Sequence, residues 1–165
     1  MAGRAEPLTT LLYEHTMPLE VFAYGDSFLV LCDNGIYAYT YSGTSLEGVS
    51  FSGMQLKYAS AGEKSVVCAG QVNTLGTENR ILVIGADGAL LYDSVAEMRI
   101  TGVYAAPDPE KVLTYIRTPD AVIELNGEGD GEVHNPAISD ILTVLPTAKG
   151  AVICGKSSAY TAFDD

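Results

Sequence analysis

Short apolar runs separated by polar turns dominate the chain from Glu20 onward. Four segments share the same order of features: an alternating strand-like stretch, a polar turn, a compact apolar run, a second tight turn and another strand-like stretch. The compact apolar runs begin at Phe28, Val66, Val112 and Ala151. Short runs rich in Val, Ile, Leu and Tyr, bounded by Gly, Asn, Asp and Pro, are typical of β-strands. The pattern therefore predicts an all-β chain of about fifteen strands.

The spacing of these runs indicates an internal repeat. They recur about every 40 residues, a period typical of β-propeller blades, each of which buries its faces by stacking on its neighbours. We predict a single propeller-like domain over residues 1–165, with four blades at approximately 20–55, 56–101, 102–139 and 140–165. The alternative architectures are a β-sandwich and an open barrel.

The fourth repeat has one strand fewer than the others. Residues 7–19 contain a stretch, Thr9–Tyr13, that could pair with the last blade and close the ring, which would leave no long exposed edge. The same stretch also has helical spacing, with Leu8 and Leu12 four residues apart after Pro7. We favour the strand, because it accounts for the missing one.

Four dipeptides mark the predicted hairpins. Asn34-Gly35 and Asp87-Gly88 are the strongest signals, because primed hairpin turns need positive φ, which Asn and Gly tolerate. Pro119-Asp120 and Lys156-Ser157 hold the equivalent turns of the later repeats. An insertion that begins at Gln71 lengthens the second repeat alone, so we predict an exposed loop there.

The repeats resemble the blades of a large bacterial propeller superfamily that includes quinoprotein-like and WD-repeat domains, as well as uncharacterised propeller-like proteins. The resemblance covers residues 20–163 and rests on the strand-and-turn pattern, with "APDPEK" from Ala106 and "SAGEK" from Ser60 similar to the turns before blade strands. The chain contains no Trp, so both the WD dipeptide and the tryptophan-docking motif of quinoprotein dehydrogenases are absent. The resemblance implies a fold and does not imply an activity.

Composition restricts the partners. The formal net charge is −12 with nine Lys and Arg, which argues against nucleic acid and against anionic membrane surfaces. No apolar segment is long enough to insert directly into a membrane. Cys32, Cys68 and Cys154 each close an apolar run, as buried thiols do, and favour a reducing compartment. We predict a cytoplasmic protein; the alternative is an extracytoplasmic domain whose anchor lies outside this sequence.

One string has the spacing of a phosphate-binding loop. Residues 150–157 match G-x-x-x-x-G-K-[ST], a motif that needs a flexible loop followed by a helix. The four variable positions are Ala, Val, Ile and Cys, which favour a strand, and eight residues remain after Ser157. We therefore predict a strand followed by a hairpin turn that holds Lys156, and no nucleotide cofactor.

A second string approximates a calcium loop. Asn126, Glu128, Asp130 and Gly131 occupy its first, third, fifth and sixth positions, but Ala137 stands where a bidentate acid is required. Such Gly-rich acidic strings are more typical of hairpin tips. We predict no metal site, and we assign no catalytic residue, because no nucleophile can be given a His partner from the sequence.

Three tyrosines form the first candidate interaction surface. Tyr37, Tyr39 and Tyr41 alternate along one predicted strand, so their side chains share a face. Tyr is enriched at interaction hot spots, although packing between blades with hydroxyls at the rim explains the same pattern. Three carboxylates of one predicted turn complete the candidate surface: Glu128, Asp130 and Glu132.

These observations favour a non-catalytic scaffold that binds a protein or a small-molecule ligand. The first alternative is a hydrolase or lyase with an acidic site in the propeller channel. The second is a homo-oligomer in which two chains complete an eight-bladed ring. An enzyme should gather titratable groups with shifted pKa values in one pocket, whereas a scaffold should show an apolar or aromatic patch with a polar rim.

Overall fold

The computed structural model of the chain describes residues 16–138 and 140–163. Within them, fifteen strands form four antiparallel sheets, and in each sheet the strands lie in sequence order. The first sheet contains β1 (Pro18–Ala23), β2 (Ser27–Cys32), β3 (Gly35–Thr40) and β4 (Ser45–Ser50). The second contains β5 (Gln55–Ala61), β6 (Ser65–Gln71), β7 (Asn79–Gly85) and β8 (Leu90–Ala96).

The remaining two sheets repeat this arrangement. The third contains β9 (Gly102–Ala105), β10 (Val112–Arg117), β11 (Val122–Asn126) and β12 (Gly131–His134). The fourth contains β13 (Thr143–Thr147), β14 (Gly150–Cys154) and β15 (Ala159–Phe163). Four meanders of three or four strands are the expected blades, and the fold is all-β and propeller-like.

The four apolar runs occupy equivalent strands. Those that begin at Phe28, Val66, Val112 and Ala151 lie in β2, β6, β10 and β14, the second strand of each sheet. A second strand has a neighbour on both sides, so its backbone is fully paired. The four runs therefore occupy equivalent strands; β2, β6 and β10 are buried at most consecutive positions, whereas β14 is buried at alternate positions.

Packing divides the chain into two compact units. One comprises Met1–Ser52 with Ala86–Ala89, and the other comprises Gly53–Gly85 with Leu90–Asp165. The first unit contains the first sheet and the turn that links β7 to β8. That turn is attached by a hydrogen bond in which the Ser27 hydroxyl donates to the carbonyl of Ala86, at 2.7 Å.

Two apolar cores hold the three sheets of the second unit together. Val67 and Ile81 of the second sheet pack against Ile116 and Leu125 of the third. On the opposite side of the third sheet, the residues in contact with the fourth sheet are Tyr115 and Val122, which pack against Val144, Ala151 and Ile153. Full burial of such side chains stabilises a fold by about 1.5–3 kcal/mol each.

The hairpin at Asn34 is present, but the predicted primed turn is wrong. Its two loop residues are Asp33 and Asn34, Gly35 already belongs to β3, and neither Asn34 nor Gly35 has positive φ. Gly35 is required for a different reason. A Cβ there would lie 2.7 Å from the Val49 carbonyl oxygen of the neighbouring strand, so close strand approach excludes a side chain.

The other predicted turns lie where the pattern placed them. At Asp87-Gly88 the hairpin is present and Gly88 has φ 90°, but Asp87 does not have positive φ and the loop comprises residues 86–89, so the predicted primed turn is not formed here either. The loops 118–121 and 155–158 are closed by hydrogen bonds from the amides of Thr118 and Gly155. The insertion after Gln71 is a loop in which Leu75 is 82% exposed.

The predicted closing strand, Thr9–Tyr13, lies outside the described residues, whereas Pro18 and Leu19 belong to β1. Among the residues that the structure describes, no helix is long and apolar enough to cross a membrane.

Candidate interaction surface

Alternation along the strands of the first sheet places its aromatic side chains on one face. Tyr39 pairs with Phe28, Tyr37 pairs with Val30, and Val30 pairs with Val21. Paired residues of neighbouring strands share a face. We call this the tyrosine face and define it by six residues: Val21, Phe28, Val30, Tyr37, Tyr39 and Tyr41.

Tyr39 and Tyr41 form an aromatic cluster with Phe28. Each tyrosine ring centroid lies 5.7 Å from that of Phe28, with interplanar angles of 27° and 39°. The first pair is stacked and the second is tilted, and both centroid distances lie in the range in which aromatic rings attract each other. Tyr41 lies just beyond the end of β3, and its hydroxyl donates to the carbonyl of Tyr24 at 2.6 Å. The cluster is therefore held in a fixed geometry before any partner binds.

Tyr37 has a packing role within the same face. Its hydroxyl donates to Asn34 Oδ1 at 3.1 Å, and burial raises the pKa of this hydroxyl. Its ring occupies the space over Gly35 and Gly48, where a Cβ on Gly48 would lie 2.9 Å from the ring. Of the three predicted tyrosines, Tyr37 and Tyr39 are half-buried and Tyr41 is 38% exposed.

The first sheet and its turns also carry exposed apolar residues and carboxylates. Val21 on β1 is 58% exposed, as is Met17 just before this strand. Residues 16–52 carry four carboxylates (Glu20, Asp26, Asp33 and Glu47) and no Lys or Arg. The first sheet thus combines an aromatic and aliphatic face with a negatively charged sequence.

Asp33, one of these carboxylates, accepts two hydrogen bonds from the segment before β1. Its Oδ1 accepts hydrogen bonds from the Met17 amide at 3.0 Å and from the Thr16 hydroxyl at 2.7 Å. Because the Met17 and Thr16 donors stabilise the charged form, the pKa of Asp33 lies below its usual range. The negative charge beside β1 is therefore maintained well into the acidic range.

The second predicted set lies on the hairpin between β11 and β12. Asn126 Oδ1 accepts hydrogen bonds from the amides of Glu128 and Asp130, at 3.0 and 2.9 Å. Glu132 lies opposite Glu124 on the neighbouring strand. All three predicted carboxylates are exposed. The structure brings Glu128 and Asp130 into one turn, and no cluster of three or more metal-ligand side chains occurs among the described residues.

The phosphate-loop string forms the predicted strand. Residues Gly150–Cys154 are β14, paired with β13 on one side and with β15 on the other. Its amide groups therefore belong to sheet ladders and not to a phosphate cradle. Lys156 lies in the following turn, with its side chain 70% exposed and its Nζ 3.2 Å from Asp140 Oδ2.

An ion pair between equivalent turns was not anticipated from the sequence. Lys64, in the turn before β6, contacts Asp108, in the turn before β10, at 3.0 Å. The hydrogen bond from Lys64 holds the pKa of Asp108 below its usual range and raises the pKa of Lys64. The sequence contains a signal for this ion pair, because Lys64 and Asp108 each lie just before the central apolar run of their repeat. Asp108 also lines a cavity of about 40 Å³ beside Tyr115.

The fourth sheet exposes an apolar face that sequence reasoning also missed. Leu145 pairs with Val152, and Phe163 pairs with Gly150, so they share a face opposite to buried Ile153. We call it the Leu145 face and define it by six residues: Thr143, Leu145, Val152, Cys154, Thr161 and Phe163. Leu145 is 53% and Phe163 48% exposed. Residues 141–163 carry two lysines, Lys149 and Lys156, and no Asp or Glu.

Comparisons with known proteins identify the fold. No protein-family model and no curated protein matches the sequence. The WD40 domain of Neurospora crassa Pan2 is similar over 89% of this chain and 46% of its own length, with a TM-score of 0.54 and 15% identity. A protein of unknown function from Bacteroides caccae is similar over 92% and 63%, with a TM-score of 0.48 and 14% identity.

Hsv2p of Kluyveromyces lactis is similar over 87% of this chain and 66% of its own length, with a TM-score of 0.38 and 11% identity. The chain thus spans less than two thirds of each of these proteins, and under half of the Pan2 domain. The Pan2 similarity supports a propeller-like fold and, at this identity, the fold alone.

Proposed function

We propose that this chain is a non-catalytic protein-interaction scaffold and that the tyrosine face is its binding surface. The observation that carries the proposal is the combination of the fixed Phe28–Tyr39–Tyr41 cluster with exposed Val21. Rigid aromatic side chains supply large contact area at low entropic cost, and Tyr is enriched among hot spots. An apolar face with a polar surrounding is the arrangement expected of a protein-binding site.

The distribution of shifted pKa values also supports a scaffold over an enzyme. Among the residues that the structure describes, the carboxylates with lowered pKa values are Asp33, Asp93 and Asp108, and each has its own local partner. For Asp93 this partner is Arg80, and for Asp108 it is Lys64. A catalytic centre needs several such groups directed at one reacting atom, whereas these pairs stabilise individual turns and strands.

Site-specific photo-crosslinking tests the proposal. p-Benzoylphenylalanine in place of Val21 should yield a discrete protein adduct in the native cells, because this position borders the aromatic cluster. The matched control replaces Val133 of β12, an equally apolar strand residue that is 55% exposed. Adding Tyr41→Asp to the variant that carries p-benzoylphenylalanine at position 21 should remove the adduct. Equal adduct patterns at both positions, or none at Val21, would contradict the proposal.

A further inference from the structure

We infer that the tyrosine face of one chain binds the Leu145 face of a second copy, and that two such reciprocal contacts close a pair of chains. The inference deepens the proposed function, because it names the partner of the same surface. Each copy carries one face of each kind, so two contacts form between two copies. An interface that connects two different patches either closes into a ring or extends into a filament.

The way in which the sheets of the second unit stack indicates that the tyrosine face and the Leu145 face fit each other. In β6, the third and fifth residues, Val67 and Ala69, pack against the following sheet. In β14, the second and fourth residues, Ala151 and Ile153, pack against the preceding sheet. In these two strands, odd positions therefore face the following sheet and even positions face the preceding sheet. In β10, where pairing with β9 begins only at Thr114, the count is shifted by one, and Ile116 faces the preceding sheet.

The two exposed faces occupy complementary places in this order. In β2, the second and fourth residues are Phe28 and Val30. The tyrosine face therefore corresponds to the face that, in the fourth sheet, packs against the preceding sheet. In β14, the third and fifth residues are Val152 and Cys154, so the Leu145 face is the kind presented to a following sheet. Both faces retain exposed apolar residues in the single chain, as the exposures of Val21 and Leu145 show.

Charge favours a second copy as the occupant. The chain is strongly acidic as a whole, at −12, and the charged residues of 16–52 are all negative. Residues 141–163 carry Lys149 and Lys156, of which Lys156 is paired with Asp140, so Lys149 supplies the uncompensated positive charge of this region. Opposite potentials attract the two faces, whereas like faces repel. The charge pattern therefore selects a head-to-tail contact between copies and disfavours contacts between two tyrosine faces.

The Lys64–Asp108 ion pair shows how such a contact is arranged. It joins the turn before the second strand in one sheet to the same turn in the following sheet, at 3.0 Å. Lys149 lies in that turn of the fourth sheet, and Asp26 lies in that turn of the first sheet. The same geometry between two copies places Lys149 of one chain against Asp26 of the other. The sign order, Lys on the preceding sheet and Asp on the following sheet, is also the same.

The number of sheets is consistent with two copies. Two copies present eight sheets, four from each chain, and propellers of about four to eight blades are the usual range.

Sedimentation equilibrium tests the association. At about 100 μM the wild-type chain should have twice the mass of one chain, since weak specific complexes form in the micromolar range. Lys149→Asp or Asp26→Lys should each weaken the pair at least about tenfold, because like charges then meet twice per pair. The combined variant should recover the wild-type dissociation constant to within about threefold. Lys57→Asp, an exposed charge reversal on β5, is the control and should leave it unchanged.

Thiol labelling locates the contact. Cys154 is on the Leu145 face and half-buried, so it should react more slowly in the pair than after dilution to single chains. Cys68 is fully buried, and burial raises its pKa to about 12, so its slow reaction should not depend on concentration. A pair in which Cys154 reacts at the same rate at both concentrations would place the contact elsewhere and overturn the inference.

The remaining outcomes separate this inference from the proposed function. A monomer at all concentrations, or an assembly larger than two chains, overturns the inference. If the crosslink from position 21 then joins a different protein, the scaffold proposal stands and the second-copy partner is wrong. If position 21 gives no protein adduct, both fail. An adduct between position 21 and residues 141–163 of another copy supports both.

Discussion

At the scale of single residues, glycines occupy positions where the backbone conformation or a neighbouring atom excludes a side chain. Gly35 was expected to supply a turn conformation, yet it has ordinary φ and is needed because β4 lies against it. Gly88 does have the expected positive φ. The sequence signal is the same Gly in both cases. The reasons differ, because close approach of another strand is a property of the folded chain.

Gly88→Ala should be strongly destabilising. A Cβ there would lie 2.6 Å from Ala38 Cβ and 2.7 Å from the Glu47 carbonyl oxygen, at a φ of 90°. Gly53→Ala is the matched control, because φ is 74° and nothing lies within 4 Å of the added Cβ. The control should cost about 1–2 kcal/mol from left-handed strain, and Gly88→Ala about 1–3 kcal/mol more from the clash. Urea unfolding measures both; equal costs would contradict the described packing.

The Arg80–Asp93 pair should contribute stability that depends on pH. Arg80 donates from Nε and Nη2 to the two carboxylate oxygens of Asp93, each at 2.8 Å, and this lowers the pKa of Asp93. A lowered folded-state pKa gives stability that is full above the unfolded value of about 3.9 and is lost as pH falls through the folded value. Asp93→Asn should therefore cost about 0.5 kcal/mol near neutral pH, as for exposed pairs.

The measurement for this pair is the unfolding free energy of wild type and Asp93→Asn across the acidic range. The difference between them should shrink toward zero below the folded-state pKa of Asp93. Glu97→Gln, an exposed carboxylate outside the pair, is the control and should show no comparable difference. A difference that persists unchanged at low pH would mean that the ion pair is not its source.

At the scale of elements, strand formation explains why residues 150–157, the phosphate-loop string, do not form a phosphate-binding loop. The amides of Gly150–Cys154 are engaged in ladders with two neighbours. Lys156→Ala should therefore change the unfolding free energy by at most about 0.5 kcal/mol. ATP or GTP with magnesium should leave the melting temperature of the wild-type chain unchanged. Lys57→Ala is the control for loss of an exposed lysine. A nucleotide-dependent increase that disappears only in Lys156→Ala would restore the motif.

The second strand of each sheet shows which structural features a local sequence pattern can predict. Consecutive apolar residues, as in Val66–Cys68, occur because a central strand is covered on both faces. Edge strands such as β8 and β12 alternate or are exposed, because one face meets solvent. Existence and type of strand were therefore predictable from composition and period. Which exposed apolar residues share a face was not, since it depends on register.

At the scale of the whole molecule, the acidity is unevenly distributed. The net charge of −12 argues against nucleic acid and anionic membranes as partners, and the carboxylates of residues 16–52 and the lysines of residues 141–163 show that the charge differs between parts of the chain. That difference underlies the second-copy inference. The single-domain boundary at 1–165, the bacterial and quinoprotein-like resemblance and the cytoplasmic location stay predictions.

The sequence by itself determined the fold class, the four repeats of strands and the place of most turns. These follow from local rules: apolar period, strand propensity and the residues that tolerate reversal. It also identified Tyr37, Tyr39 and Tyr41, since alternation along a strand places side chains on one face.

Only the tertiary structure decided the rest. It joined Phe28 to Tyr39 and Tyr41, gave Tyr37 a packing role, paired Lys64 with Asp108 and exposed the Leu145 face. Each of these depends on strand register and on which sheet covers which face. Contacts between residues far apart in sequence are set by the stacking of whole sheets, and no local pattern encodes which faces the stack leaves uncovered.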